Sequence, residues 1–334
     1  MSHEGAHAYA RSDLARIRPA IPTSRLSVIS IDEALMTFAV EAIQEPIAAR
    51  ITGLDLRQPL SAADAQAIDN VIAQYPVLVF PAQDIDDNQL LAFSENFGPV
   101  QVSVQYATRQ NEHRLQPRIS DISNVGKDNE TFKAGDNRRM NTFVSRRWHS
   151  DQSYQPIPAR YSFLLNYSVP ARGGESQFAD MRLVYDSLPQ DLRETIENLS
   201  AEFDILHTRA MCGFTDFPEE ERAMLKPSIH RLVKTHPLSG RKTLYLSVHA
   251  THVVDWPIPE GRDLLRELME FATQPQFIYT HHWTVKDLVM WDNRTLIHRG
   301  LRYSPPTDRR EMHRATVMDE PEWTRAAAPV NVPA

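Results

Sequence analysis

Three features are scarce in this sequence: cysteine, long apolar runs and an excess of basic residues. Cys212 is the single cysteine, which excludes an internal disulfide framework and a thiolate zinc cluster and fits a reducing compartment. No apolar run approaches the roughly 18 residues that cross a bilayer, and the first 25 residues lack a signal-peptide core. The net charge of −7 argues against general binding to nucleic acid or membrane surfaces. We therefore expect a cytoplasmic protein with neither kind of partner.

Internal repeats and low-complexity linkers are also lacking, which favours a single domain. Residues 1–25 are polar and contain Pro19 and Pro22, so they are predicted to form a flexible arm. Residues 324–334 are predicted to form a flexible tail. The intervening residues 26–323 are predicted to form one folded domain.

Helical signals are strongest in the first hundred residues. Ser61 is a plausible N-cap, and the apolar stripe that follows it ends before Tyr75 and Pro76. The apolar segment at residues 77–80 is predicted to be a buried strand. Further helices are expected at residues 86–97, 183–199 and 261–273.

Short strand-like segments dominate the second half of the chain. They include "ARYSFLLNYSV", "KTLYLSV", "FIYTHHW", "LVMWDN", "TLIHRGL" and "HRATVM", separated by Pro, Gly and Asn. The regular alternation of strand and helix that marks a doubly wound or TIM fold is missing after residue 155. The sequence therefore predicts a mainly β fold with helical additions (α+β), of the sandwich or jelly-roll type.

Several histidine clusters could suggest metal sites. His3-Glu4-Gly5-Ala6-His7 matches the H-E-x-x-H pattern, which binds zinc only on a helix. Because the pattern lies in an unpatterned arm, we interpret it as a chance match. Structural roles are preferred for the histidines of "HATH" (residues 249–252) and for His281 and His282. The latter two are adjacent, and adjacent residues of a strand face opposite sides, so they could not easily bind one ion together.

The segment "RRWHSDQSYQP" places His149 and Asp151 two residues apart among residues that favour extended backbone. On a strand, side chains at this spacing share a face. Two histidines and one carboxylate on one face are the pattern of non-haem Fe(II) oxygenases, although imidazole and carboxylate also suit Mn(II) and Zn(II). A second histidine would have to come from a distant strand.

The segment around His298 offers that histidine. It ends a short strand in "TLIHRG" and is followed by an arginine-rich strand. Arg310 and Arg314 are four residues apart and would share a strand face, as Arg309 and His313 would share the other. A guanidinium beside a metal is a natural receptor for a carboxylate, because its fork makes two charge-assisted hydrogen bonds.

Together these motifs resemble the Fe(II)/2-oxoglutarate-dependent dioxygenases of the taurine dioxygenase family, nearest the 2,4-dichlorophenoxyacetate dioxygenase branch. The similarity covers residues 47–319. It is carried by "RISDISNV", "WHSDQSYQPIPARYSFL", "GGESQFADMRLVYDSLPQDL", "THPLSGRKTLYL", "HATHV", "DLVMWDNRTLIHRG" and "RREMHRAT". The resemblance implies a double-stranded β-helix core.

The resemblance also implies roles for individual residues. His149, Asp151 and His298 match the iron ligands. Ser176 stands where the family has a threonine whose hydroxyl binds 2-oxoglutarate. Arg310 matches the arginine that binds the distal carboxylate of this co-substrate, and Arg314 matches a second arginine that holds it or the substrate anion. Counting from His298 would instead select Arg309, because the loop is one residue longer here.

The reaction implied is hydroxylation of a small organic anion with Fe(II) and consumption of 2-oxoglutarate and O₂, giving succinate and CO₂. An aryloxyacetate is one candidate substrate, since hydroxylation next to its ether oxygen leads to ether cleavage. Taurine, another sulfonate or another carboxylate would suit the same site. Basic residues are available to bind the anion in the segment that precedes "DISNV": Arg109, His113, Arg114 and Arg118.

Two hypotheses from other classes remain open at this point. The same triad could bind zinc in a hydrolase, with Arg310 holding a substrate carboxylate. Alternatively, the histidines and arginines could be structural in a non-catalytic β-sandwich binding module. In the leading hypothesis the small anion is the main partner, and we expect the protein to form a homo-oligomer.

Overall fold

The computed structural model describes residues 36–102, 114–133, 140–304 and 308–321, and these form a strand-rich structure with several helices. The strands are β1 (Ala39–Gln44), β2 (Ala48–Thr52), β3 (Val77–Phe80), β4 (Ser120–Asp121), β5 (Ala159–Ser168), β6 (Ser176–Asp180), β7 (Ser200–Phe203), β8 (Ser228–Arg231), β9 (Val233–Thr235), β10 (Lys242–Leu244), β11 (Ala250–Val253), β12 (Ile278–His281), β13 (Leu288–Asp292), β14 (Leu296–Gly300) and β15 (Glu311–Met318). The helices are α1 (Ala62–Gln74), α2 (Asp87–Glu95), α3 (Met140–Ser145), α4 (Met181–Ser187), α5 (Gln190–Ile196), α6 (Ile205–Met211), α7 (Glu219–Met224) and α8 (Ile258–Ala272).

Seven strands form the largest sheet, in the order β1-β2-β3-β13-β5-β15-β4. Its neighbours pair antiparallel except β2 and β3, which are parallel. A smaller antiparallel sheet has the order β12-β6-β14, and β11-β7-β8 forms another. Strands β9 and β10 make a separate hairpin.

The apolar strand β3 is buried on both faces, which explains its four consecutive apolar residues. Val77 and Val79 pack in an inner core shared with the β12-β6-β14 sheet, around Phe178. Leu78 and Phe80 pack in an outer core against helices α1 and α2. The period of two along a strand sends successive side chains to opposite faces, so the large sheet separates two cores.

Helix α1 confirms the cap read from the sequence. The Ser61 hydroxyl accepts a hydrogen bond from the Asp64 backbone N–H, and Ile68, Val71 and Ile72 pack in the outer core. Helix α8 runs close to the predicted 261–273, and the strand at 77–80 is also present.

Two local expectations were wrong. The helix predicted over 183–199 is two helices, α4 and α5, because Pro189 has no backbone N–H and begins the second one. The segment 146–156 is not a strand: His149 makes a single β-bridge, and a turn follows in which Gln152 has φ 55°. The expected arm, tail and H-E-x-x-H pattern lie outside the described residues.

Within the ranges that the structure describes, no helix is long and apolar enough to cross a membrane.

A buried ion pair closes the turn between β13 and β14. Arg294 donates from Nε and Nη2 to the two oxygens of Asp292 at 2.9 and 2.7 Å. His236 of the adjoining segment contacts the same carboxylate at 2.9 Å, and Arg294 also donates to the Tyr161 hydroxyl at 3.1 Å. Asp292 and His236 are completely buried, and Arg294 nearly so. These contacts fix the turn against strand β5 of the large sheet and against the segment that follows β9.

We expect Arg294→Ala to lower the free energy of unfolding by about 3–5 kcal/mol, since it leaves the Asp292 charge buried with only the His236 imidazole, whose pKa burial lowers, as a partner. Urea denaturation followed by circular dichroism measures this. The control is Arg266→Ala, which breaks an exposed ion pair to Asp263 on α8 and should cost less than about 1 kcal/mol. Equal losses in the two variants would contradict the structural role of the buried pair.

Gly261 permits close packing of α8 on β11. A Cβ at this position would lie 2.8 Å from the Val253 backbone nitrogen. In an exposed helix, Gly→Ala is stabilising by about 1 kcal/mol. Here we expect Gly261→Ala to lower the melting temperature, because α8 or β11 would have to move. An unchanged or raised melting temperature would show that the contact relaxes without cost.

Candidate metal centre

The backbone brings the two distant histidines together. His149 N donates to His298 O at 3.0 Å, and His298 N donates to His149 O at 2.7 Å, which forms one antiparallel bridge. His298 lies on β14, while the turn after His149 carries Asp151. The shared face expected for His149 and Asp151 thus arises from a bridge and a turn.

The three side chains form a compact buried group. His149 Nε2 lies 3.7 Å from Asp151 Oδ1, and His298 Nε2 lies 3.8 Å from Asp151 Oδ2. One ligand atom from each residue lies within 4.8 Å of the others. These nitrogen–oxygen separations are too long for hydrogen bonds, so the three side chains lie close together without hydrogen-bonding to one another.

The protonation states of the group suit a cation. Burial lowers the pKa of His149 and takes that of His298 well below its ordinary value, so both imidazoles are neutral near pH 7. Burial acts to raise the pKa of the Asp151 carboxyl, but the charge of Arg314, the two histidines and the Ser162 hydrogen bond together outweigh it, and the pKa is lowered overall. The group therefore offers two neutral imidazoles and one carboxylate.

Hydrogen bonding orients one of these imidazoles. His149 Nδ1 lies 2.8 Å from the Arg147 carbonyl, to which it can only donate, so Nε2 carries the lone pair. That lone pair is on the nitrogen that faces Asp151. His298 Nδ1 is buried without a hydrogen-bond partner among the described residues. Nitrogen and carboxylate ligands of this kind could hold a divalent transition metal.

Arg314 contacts the carboxylate of this group directly. Its Nη1 donates to Asp151 Oδ1 at 2.5 Å from strand β15. Met312, two residues earlier on the same strand, packs in the inner core, whereas Ala315 and Val317 pack in the outer core. Even-numbered side chains of this strand therefore face the metal-ligand group.

The neighbouring arginines differ in their partners. Arg309 pairs with Glu311 at 2.6 Å and with Asn129. Arg310 donates from Nη1 to the Ile122 carbonyl at 3.1 Å, and no carboxylate among the described residues forms an ion pair with it. Burial, with a smaller contribution from the charge of Arg146 nearby, lowers the pKa of Arg310 to about 10. Arg310 is thus a partly exposed residue whose guanidinium is desolvated, and no described carboxylate pairs with it.

Ser176 begins β6 and is almost completely buried. Its Oγ accepts a hydrogen bond from the Trp283 indole nitrogen at 3.1 Å. Because that contact uses a lone pair of the oxygen, the Ser176 hydroxyl hydrogen remains available to a further acceptor.

The structure does not bring Arg114 to this group. Arg114 pairs with Asp121 at 3.0 Å and with Glu311, and its Nη2 lies 3.3 Å from His313 Nε2. Glu311 and His313 are odd-numbered residues of β15, on the face turned away from the metal-ligand group. Arg118 pairs with Glu95. The other two expected substrate-binding residues, Arg109 and His113, lie outside the described residues.

Other residues of the site were given no role in it from the sequence. Ser162 donates to Asp151 Oδ2 at 2.7 Å, and Asn293 accepts from the Asp151 backbone N–H at 3.1 Å. The ring centroid of His249 lies 6.3 Å from that of His149, and its Nδ1 lies 2.8 Å from Thr208 Oγ1. Within "HATH" and "WDN", nothing in the sequence distinguishes these residues from core residues.

Comparison with known proteins shows the family to which the chain is similar. The family model described as taurine catabolism dioxygenase TauD, TfdA family matches residues 39–316. The chain is 40% identical to the alpha-ketoglutarate-dependent 2,4-dichlorophenoxyacetate dioxygenase of Cupriavidus pinatubonensis, over 85% of this chain and 99% of the relative. It is 31% identical to the (S)-phenoxypropionate/alpha-ketoglutarate-dioxygenase of Sphingobium herbicidovorans, over 87% and 98%.

A solved structure shares the architecture. AAD-2 in complex with Mn(II) and N-oxalylglycine superposes with a TM-score of 0.81 at 42% identity, covering 85% of this chain and 99% of that one. Both the family model and relatives above 30% identity span most of the chain, and the sequence motifs had pointed the same way. The chain therefore belongs to the TauD, TfdA family of dioxygenases.

Proposed function

We propose that this protein is a 2-oxoglutarate-dependent dioxygenase that hydroxylates a small aryloxyalkanoate anion. The observation that carries the proposal is the buried His149–Asp151–His298 group. Arg314 contacts Asp151, and Arg310, four residues earlier, pairs with no described carboxylate. Membership of the dioxygenase family favours this reaction over the zinc hydrolase and the non-catalytic binding module.

The proposal extends to the architecture. The large sheet and the β12-β6-β14 sheet share the inner core, as the two sheets of a double-stranded β-helix would. Residues 26–323 would form the single oxygenase domain, between a flexible arm at 1–25 and a flexible tail at 324–334. We further propose Fe(II) as the working metal and a homo-oligomeric state.

Two side chains are proposed to hold 2-oxoglutarate. Arg310 would bind its distal carboxylate, which would supply the missing countercharge. The Ser176 hydroxyl would donate to the same co-substrate, with its oxygen held by Trp283. N-oxalylglycine, found in AAD-2, offers the same adjacent carbonyl and carboxylate oxygens as 2-oxoglutarate.

The chain contributes ligands, charge balance and exclusion of water. His149 and His298 would bind the metal as neutral imidazoles, and Asp151 would supply the single negative charge, balanced by Arg314. When bound, Fe(II) would supply oxidation by O₂, coupled to the decarboxylation of 2-oxoglutarate to succinate and CO₂. Burial of the group keeps bulk water away from the reacting atoms.

The substrate class follows from the relatives. Those at 40% and 31% identity are named for 2,4-dichlorophenoxyacetate and phenoxypropionate. In such compounds the carbon next to the carboxylate also bears the ether oxygen, so its hydroxylation gives a hemiacetal or hemiketal that collapses to a phenol and a 2-oxo acid. Taurine or another sulfonate is a less supported alternative. Arg314 is a candidate to bind the substrate anion, as are Arg109 and His113, whereas Arg114 would first have to leave Asp121 and Glu311.

We expect Arg310→Ala to raise the KM for 2-oxoglutarate by about 10- to 150-fold, the effect of losing hydrogen bonds to a charged group worth about 1.5–3 kcal/mol. Arg309→Ala is the matched control and should leave this KM near the wild-type value, because Arg309 already pairs with Glu311. The measurement is initial succinate release at varied 2-oxoglutarate. A larger effect for Arg309→Ala would reverse the assignment.

We expect the Fe(II)-loaded protein to release succinate under air when supplied with 2-oxoglutarate and an aryloxyacetate, together with the corresponding phenol. Asp151→Ala should lower this turnover more than about 100-fold, since even residues that only support ligands contribute 10- to 100-fold. Asp263→Ala, an exposed carboxylate on α8, is the control. If no aryloxyacetate, sulfonate or carboxylate raises succinate above the uncoupled background, the substrate proposal fails. Full turnover by Asp151→Ala would refute the metal ligands.

A further inference from the structure

Asn293 is the centre of a completely buried hydrogen-bond network beside the proposed metal ligands. Its side-chain oxygen accepts from the Asp151 backbone N–H and from the Trp291 indole N–H, both at 3.1 Å. Its side-chain nitrogen donates to Ser162 Oγ at 2.9 Å, and its backbone carbonyl accepts from Ser150 Oγ at 2.8 Å. Each of these five residues is at most 4% exposed.

The network determines the direction of the Ser162 hydroxyl. Two N–H donors at the Asn293 oxygen leave its NH₂ group facing Ser162, so the amide has one consistent orientation. The Ser162 oxygen accepts from that NH₂ group. Its own hydrogen must therefore point to Asp151 Oδ2, at 2.7 Å. Asn293 thus holds the Asp151 backbone directly and orients the hydroxyl that holds the carboxylate.

Both oxygens of the Asp151 carboxylate have a donor from outside the triad. Ser162 donates to Oδ2 and Arg314 donates to Oδ1 at 2.5 Å. The two donors come from β5 and β15, which pair antiparallel with Ser162 opposite Thr316. Rotation of the carboxylate would break at least one of these contacts in a dry environment, where an unmade hydrogen bond costs about 1–3 kcal/mol.

Arg314 supplies charge as well as orientation, whereas Ser162 is neutral. Removal of the Ser162 hydroxyl therefore changes the orientation of the carboxylate without changing the net charge of the site. Variants of Ser162 can therefore test a positioning role without altering the electrostatic balance of the metal-ligand group.

We propose that Ser162 is a positioning residue for Asp151, which holds the carboxylate in its metal-binding orientation before the metal arrives. The Asn293 amide directs the Ser162 hydroxyl toward Oδ2. This inference rests on the proposed function, because it takes Asp151 to be a metal ligand. Without the hydroxyl, the carboxylate samples other orientations and the metal must order it on binding, so affinity falls.

The test measures Mn(II) affinity of the metal-free full-length protein, from the electron paramagnetic resonance signal of unbound Mn(II). We expect Ser162→Ala to raise the Kd by about 10- to 100-fold, the range for residues that support metal ligands. Ser162→Cys fills more of the space but donates weakly, so it should show the same loss. Mn(II) prefers oxygen ligands, so the thiol should not replace them. Ser162→Thr keeps the hydroxyl and should restore an affinity near that of wild type.

The matched control is Ser94→Ala. The Ser94 hydroxyl is also completely buried and donates to the Leu90 carbonyl at 2.7 Å, but within α2 of the outer core. If Ser162 only stabilises the fold, Ser162→Ala and Ser94→Ala will both lower the melting temperature and neither will change the Kd for Mn(II). That result, or an equal loss in Ser162→Thr and Ser162→Ala, would overturn the positioning role.

The same titration separates this inference from the proposed function. A wild-type protein that binds no Mn(II) would refute the metal centre itself and the role of Ser162 with it. A wild-type protein that binds Mn(II), together with Ser162→Ala and Ser162→Cys variants of unchanged affinity, would refute the role of Ser162 alone. Should Ser162→Ala fail to fold by circular dichroism, Ser162→Cys and Ser162→Thr decide the question.

Discussion

The buried ion pair between Asp292 and Arg294 is the interaction on which the rest of the site depends. It closes the turn that leads from β13 of the large sheet to β14 of the smaller one. Asn293 lies between the two charged residues and contacts Asp151, and β14 then places His298 opposite His149. Because the pair is buried, removal of either charge would leave the other without a charged partner away from water, which is strongly destabilising. One turn therefore contacts Asp151 through Asn293 and leads into the strand that carries His298.

Burial also affects the charge state of each ionisable group in the site. Desolvation favours the neutral histidines, while Arg314 keeps Asp151 ionised. Arg310 differs, since it is desolvated and no described carboxylate pairs with it. A folded protein tolerates such a cation when binding of an anion is part of its function, because the binding energy offsets the desolvation. The arrangement suits an enzyme that binds a dicarboxylate co-substrate.

Much of the local structure could be predicted from the sequence. The Ser61 cap, the strand at 77–80 and the segments that became β13 and β14 follow from periodicity and from turn residues. Side chains from distant strands were harder to assign. Spacing alone did not support a choice between Arg309 and Arg310 as the proposed co-substrate ligand, because only the tertiary structure shows that Glu311 pairs with Arg309 and that no described carboxylate pairs with Arg310. The role of Asn293 likewise had no signal, since a polar residue at a turn is usually solvated.

The sequence by itself determined the ligand chemistry, the mainly β composition and the membership of a dioxygenase family, because these depend on residue types and short spacings. Only the tertiary structure decided how the residues combine. The contact between Asn293 and Asp151 joins positions 142 residues apart, and no local pattern encodes such a contact. Its formation depends on sheet pairing and on burial, which remove water from the polar groups and leave each of them to find its partner inside the protein.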